Sequence, residues 1–320
     1  MFQSRRKVVT SPLAITDQES RGVAAYWGMA MGDALGATVE FMMPAEIQVK
    51  HGTHDAIIGG GWLHLKKGEV TDDTTMALAL GEGILNSQQG IDPIAIGDAY
   101  DRWMKSKPVD CGNTVRRGIV HFRQKRESGG VMVEENEFDG GNGACMRTLP
   151  MALATLGLAD EEMVAASRLQ THLTHNHPLS DAATECVNRM IQQAVLGKDI
   201  SEIHAGPVVD LIENHKTFTY RRKRAPINPD GYIVDTMRVV LWSLFTTDSF
   251  ESCLVDVVNR GGDADTTGAI AGAIAGALYG LEGLPQRWFK AMNQQVMQQC
   301  EEQAVALIRQ SPENQMKAAG

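Results

Sequence analysis

The chain predicts an all-α fold, one large multi-helix domain with no sheet. Three observations carry this. Apolar residues recur at three- and four-residue spacing along most of the 320 residues. Convincing period-two alternation is missing; "AIIGGGWLHL" is the nearest stretch, and its glycines break it. Two segments also carry glycine at every fourth position, which lines one face of a helix.

Taken in order, the periodicity places helices near 20–38, 71–88, 92–105, 114–125, 143–158, 160–172, 179–196, 232–246, 250–259, 266–281 and 286–310. The first contains Gly28, Gly32 and Gly36. The second opens on the polar run Thr71 to Thr74. Asp92-Pro93 opens the third, since proline suits a first helical turn. Gly197 closes the segment that ends near 196. The segment near 266–281 holds Gly268, Gly272, Gly276 and Gly280. Interior glycine costs about 1 kcal/mol relative to alanine, so these stripes need a packing reason. Close approach of two central helices supplies one, and such a crossing would hold the loops at its ends rigidly. No fixed repeat or low-complexity linker divides the chain, so the reading is one domain, 1–320, with a core of about 20–310 and a short N-terminal extension.

Charge and composition exclude several function classes. The net charge is −9, which argues against a nucleic-acid binder. One basic run, "YRRKR" (Tyr220 to Arg224), reads as a solvated loop or as a docking patch for an acidic partner. The five cysteines are scattered and never form CxxC, as expected of structural thiols in a reducing compartment. The N-terminus lacks the apolar stretch of a secretory signal. The Gly/Ala-rich segment 268–284 is too short for a membrane span and carries Glu282. A cytoplasmic protein is expected.

Chemistry concentrates in "NRGGDADTTGAIAGAIAGALYG", Asn259 to Gly280. Its opening imitates a calcium loop, but the twelfth position is Ile274 where a bidentate Glu is needed. A phosphate loop would need Gly-Lys-Ser/Thr, and Gly268 is followed by Ala269. Helix capping explains one Asp or Thr, not two of each in five residues. A second such cluster, Thr71, Asp72, Asp73 and Thr74, starts another apolar helix. Two clusters at helix starts suggest converging oxygen ligands. Their four carboxylates would balance two divalent cations, and an all-oxygen shell favours Mg²⁺ or Mn²⁺ over zinc. "FDGGNGACMR" frees backbone N–H groups at Gly140, Gly141 and Gly143 ahead of a helix, a setting that attracts phosphate, although a flexible turn reads equally well. His172, His175 and His177 in "THLTHNHP" lack the partners of a zinc site, and a packed or capping histidine is the commoner case.

"GMAMGDALGATVEF", "TDDTTMAL", "GGNGACMR" and the Asn259–Gly280 stretch together resemble, in matching order, the signature segments of the ADP-ribosylglycohydrolase family, from about residue 20 to 285. The DDT and GGDADT pair is the specific part. The resemblance implies that Thr71, Asp72, Asp73, Asp263, Asp265 and Thr266 hold a dinuclear Mn²⁺ or Mg²⁺ centre, with Glu40 a catalytic carboxylate near the metals and the ribose, or else a surface Glu of the first loop. It implies that Asp110 and Asn113 of "PVDCGNT" face the ribose and scissile bond, with Asp110 handling the proton. Gly141, Asn142 and Gly143 would take the diphosphate, His175 would lie near the substrate, and Tyr232 would stack on adenine or simply pack.

The likeness is to the bacterial branch that removes ADP-ribose from an arginine of dinitrogenase reductase, the iron protein of nitrogenase. Metal-dependent hydrolysis of that N-glycosidic bond is therefore the expected activity. The alternatives are an ADP-ribosyl-serine or O-acetyl-ADP-ribose hydrolase, and a non-catalytic ADP-ribose-binding relative. By the same association a nitrogen-signalling regulatory protein and a membrane ammonium channel are expected partners, with reversible peripheral membrane association through them.

Overall fold

The structure is a computed structural model that describes residues 15–88, 90–221 and 223–319. Residues 1–14 of the expected N-terminal extension, where the absence of a secretory signal was mainly read, and Arg222 of the basic run lie outside the described residues.

The helices are α1 (Asp17–Gly36), α2 (Pro44–His51), α3 (Asp72–Asn86), α4 (Pro93–Lys105), α5 (Asn113–Lys125), α6 (Leu149–Ala154), α7 (Asp160–Thr171), α8 (Pro178–Val195), α9 (Ile200–Ile203), α10 (Val209–Asn214), α11 (Ile233–Thr246), α12 (Phe250–Val258), α13 (Ala264–Gly283), α14 (Gln286–Ala291), α15 (Gln294–Gln310) and α16 (Pro312–Ala319). No strand occurs among the described residues. The glycine-broken "AIIGGGWLHL" forms only a tight turn with one antiparallel bridge, Gly60 to Leu65. Local chemistry sets the starts. Thr16 and Glu19 form a reciprocal capping box at α1, and the Asp92 carboxylate accepts from Ile94 N–H at 2.9 Å.

The two glycine stripes meet. A Cβ on Gly28 would lie 2.2 Å from the Gly272 carbonyl oxygen, and one on Gly32 would lie 2.0 Å from that of Gly268. Gly36 faces Ala264 and Gly276 faces Ala24 at 2.1 Å in the same sense. Residue numbers rise along α1 as they fall along α13, so the pair is antiparallel and backbone touches backbone. Spacing of four repeats the contact turn after turn. Gly280 departs from the expectation of a packed stripe: its φ is +65°, a Cβ there would meet nothing, and it marks a break in helical geometry near the end of α13.

Other boundaries differ from the expected ones. The segment expected at 143–158 is helical only at α6; before it, Cys145 and Met146 N–H both donate to the Asn142 carbonyl at 2.9 Å. The Gly143 carbonyl accepts instead from the Arg147 guanidinium at 3.0 Å, so a turn replaces the helix start. The stretch 286–310 divides into α14 and α15 because Asn293 caps the second, its side-chain Oδ1 accepting from Gln295 N–H at 3.0 Å. Helices α2, α9, α10 and α16 were not anticipated; they are short, and α9 joins α10 through a π turn, His204–Val208. No helix among the described residues is long and apolar enough to cross a membrane.

Candidate metal centre and substrate cleft

Antiparallel packing brings the C-terminus of α1 to the N-terminus of α13. Both ends then face the start of α3. Asp33, on the last turns of α1 and fully buried, is the link. Its carboxylate accepts from Thr71 N–H at 3.0 Å, Thr74 N–H at 3.1 Å and the Thr74 hydroxyl at 2.5 Å. Those amides are the free donors of the first turn of α3, so α1 caps α3 from outside. Within the cap, the Thr71 hydroxyl donates to Asp73 at 3.2 Å. Thr266, on the first turn of α13, donates to the same Asp73 oxygen at 3.3 Å. The two clusters read from the sequence therefore converge.

Beyond α1 the chain turns back so that Glu40 joins them. One carboxylate oxygen from each of Glu40, Asp263 and Asp265 lies within 4.8 Å of the others. The Trp62 indole donates to Glu40 Oε2 at 2.7 Å, and Asn142 Nδ2 donates to Asp263 Oδ2 at 2.6 Å. Burial and mutual repulsion raise these acids. Burial pushes Glu40 up to about 8, with the charges of Asp263 and Asp110 adding to it. Asp72 rises to about 7 through burial and the Asp110 charge, and Asp33 to about 6 through burial. Burial first, then neighbouring carboxylates, holds Asp73 and Asp265 well above the usual range. Asp73 Oδ1 is buried with no hydrogen-bond partner. A divalent cation would supply the missing charge and the missing partner, and an all-oxygen set suits a hard cation. The cluster is thus compatible with a divalent metal site.

These acids form one wall of a cleft of about 280 Å³. Asp110, Asn113, Gly141, Asn142, Gly143 and His175 line it together with Glu40, Asp72, Asp73, Asp263, Asp265 and Thr266. Thr71 is fully buried beneath the wall and is not part of the lining; its side chain serves the cap and Asp73. Asn113 begins α5 with its side chain exposed. Tyr232 does not line the cleft. It is half-exposed on the outer side of the glycine loop, where its ring would sit 3.2 Å from a Cβ on Gly140.

The glycine loop forms the facing wall. Asn142 N–H is already bound to the Gly231 carbonyl at 2.9 Å, so that amide is not free for a phosphate. A Cβ on Gly143 would come within 2.9 Å of the His175 ring, and one on Gly141 within 3.3 Å. Glycine at 143 is what lets the histidine ring pack this closely against the loop. His175 is buried and kept neutral, its pKa well below the ordinary value through burial and the nearby Arg147 and Arg117 charges. The other two histidines point to different tasks: His172 pairs with Asp181 at 2.9 Å, and His177 accepts from Leu179 N–H at the start of α8.

Two residues the sequence reading passed over hold this geometry. Asp33 is one. The other is Arg147, fully buried, whose guanidinium donates to the Gly143 carbonyl, the Gln170 side chain and carbonyl, and the Thr174 hydroxyl at 2.7–3.0 Å. It also lies 4.8 Å over the Tyr100 ring. Both stood inside quoted motifs, an Asp amid a glycine stripe and an Arg four residues after Gly143.

Comparisons with known proteins agree with this fold. A family model described as ADP-ribosylglycohydrolase matches residues 14–315. The chain is 45% identical over 289 residues to ADP-ribosyl-[dinitrogen reductase] glycohydrolase of Rhodospirillum rubrum, covering 90% of this chain and 95% of that protein. It is 32% identical to ADP-ribosylarginine hydrolase Tri1 of Pseudomonas putida (strain GB-1), covering 90% of this chain and 77% of the relative. Among solved structures, an ADP-ribosylglycohydrolase-related protein complex superimposes with a TM-score of 0.79 at 30% identity, covering 93% of this chain and 100% of that one. The chain belongs to the ADP-ribosylglycohydrolase family.

Proposed function

We propose that this protein hydrolyses the N-glycosidic bond between ADP-ribose and a protein arginine, and that its protein substrate is ADP-ribosylated dinitrogenase reductase. The observation that carries the reading is the junction of α1, α3 and α13, where buried carboxylates surround an orphaned Asp73 oxygen beside a glycine-lined cleft. The relatives supply the linkage: those named above are named for dinitrogen reductase and for arginine.

Glu40, Asp72, Asp73, Asp263, Asp265, Thr266 and Thr71 would hold two cations, Mn²⁺ or Mg²⁺. When bound, such cations supply Lewis acidity toward ribose hydroxyls and an activated water. The chain's own residues do the rest. Asp73 is held in place by Thr71 and Thr266, and Asp263 by Asn142, so the carboxylates are fixed before substrate arrives. Gly141 and Gly143 let the diphosphate approach His175. The Thr174 hydroxyl, which accepts from Arg147, is hydrogen-bonded to His175 Nδ1 at 2.8 Å and so fixes the ring beside the loop. Asp110, at the edge of the cleft, handles the proton: water oxygen bonds to the anomeric carbon, the carbon–nitrogen bond breaks, and the guanidine leaves protonated. Tyr232 would meet the adenine from the rim, and Asn113 the ribose.

Hydrolysis of ADP-ribosyl-arginine with and without Mn²⁺ tests the reading. Activity that survives complete chelation overturns it, and faster hydrolysis of a serine-linked substrate would reassign the linkage. The family likeness also carries the regulatory protein and the ammonium channel as partners, with peripheral membrane association through them; co-purification with either tests that part separately.

A further inference from the structure

The basic run Arg221–Arg224 is absorbed by none of the chemistry above, and its surroundings give it a role. Most arginines near the surface are paired: Arg102 with Glu82, Arg123 with Asp101, Arg126 with Asp98, Arg189 with Asp160. Arg221, Lys223 and Arg224 are exposed and have no carboxylate partner among the described residues. Arg221 instead lies 5.6 Å over the Tyr220 ring. Unpaired positive charge in a chain of net charge −9 is a local exception.

The run is also tied to the metal helix. The segment that follows it is fastened at Pro226, whose carbonyl accepts from Arg260 at 3.0 Å, and at Asn228, whose N–H donates to the Arg260 carbonyl at 2.8 Å. At Pro229 the carbonyl accepts from Asp263 N–H at 2.8 Å. The chain then reaches Gly231, which lines the cleft. Lys223 and Arg224, with Tyr220, Arg238 and Asp235, line a shallow pocket of about 440 Å³ on this shoulder. Tyr220 is buried there with its hydroxyl unpartnered. Neither basic side chain lines the cleft itself.

We infer that Arg221, Lys223 and Arg224 form a docking surface for an acidic segment of the ADP-ribosylated protein, next to the arginine being released. This rests on the proposed function. Unpaired positive charge on a molecule of net charge −9 is complementary to an acidic surface, and rim charges of this kind act through association rate and salt dependence.

The test compares Lys223→Glu/Arg224→Glu with the parent on two substrates, free ADP-ribosyl-arginine and the ADP-ribosylated dinitrogenase reductase. The expected result is a roughly tenfold or greater fall in kcat/KM on the protein, carried by KM, with the small substrate unchanged. Added salt should raise KM for the protein with the parent and much less with the variant. Lys223→Gln/Arg224→Gln should fall between, which separates charge from folding defects. Equal losses on both substrates would place the run in the ADP-ribose subsite and overturn docking. No loss on the protein would overturn it as well. Failure of the parent to cleave the small substrate would instead strike the proposed function.

Discussion

The two walls of the cleft are built by opposite means. The acidic wall stands on long helices packed backbone to backbone, yet electrostatically it is unfinished: burial raises its carboxylates and leaves one Asp73 oxygen without a partner. The glycine wall is irregular chain, braced from beneath by the buried Arg147, which donates to the Gly143 carbonyl and the Thr174 hydroxyl. Rigid scaffold with missing charge marks the side that waits for a cation. Irregular backbone braced by a buried guanidinium marks the side proposed to meet the diphosphate.

Substitutions should separate these walls. Asp265→Asn should have the largest effect, lowering activity by at least the roughly hundredfold that disturbing a metal shell costs. The same variant should melt higher than the parent in chelator, because the cost of burying an ionisable carboxyl among other carboxylates is gone; a lower melting temperature would break this contrast. Gly32→Ala comes next. Its Cβ would meet the Gly268 backbone at 2.0 Å, so about 3 kcal/mol of stability should go, read from denaturant unfolding. On the other wall, Gly141→Ala should move stability little and should instead raise KM, since the nearest atom a Cβ there meets is the His175 ring at 3.3 Å, with the Gly231 carbonyl at an ordinary 3.7 Å.

A pH series sharpens the comparison further. Glu40 titrates near 8 in the folded metal-free protein against 4.5 ordinarily, and Asp72 near 7 against 3.8. The folded state therefore holds protons that the unfolded state has released, so chelated protein should lose stability as pH rises from about 4 to about 8. Saturating Mn²⁺ should flatten that slope. Gly280→Ala should matter least, costing about 1 kcal/mol for its positive φ and nothing for packing.

Much of this was legible because the sequence breaks local rules openly. Interior glycines at every fourth position are unfavourable unless helices touch, and the structure shows Gly28, Gly32, Gly268 and Gly272 touching. Two Asp-Thr clusters exceed what capping needs, and Thr266 meets Asp73 across them. What stayed hidden depends on register and burial. Asp33 acts only because the antiparallel crossing aims it at α3, and no local spacing encodes that aim. Arg147 looks like any helical arginine until its guanidinium is known to be inside. Its bond to the Gly143 carbonyl also explains why helix was expected where a turn stands.

In the proposed function α3 and α13 share one metal centre. Calorimetric titration of Mn²⁺ into the chelated parent, Asp73→Asn and Asp265→Asn tests it directly. Weakened binding in both variants, one from each helix, is the predicted result. Parent-like binding in Asp73→Asn, with loss confined to Asp265→Asn, would contradict it.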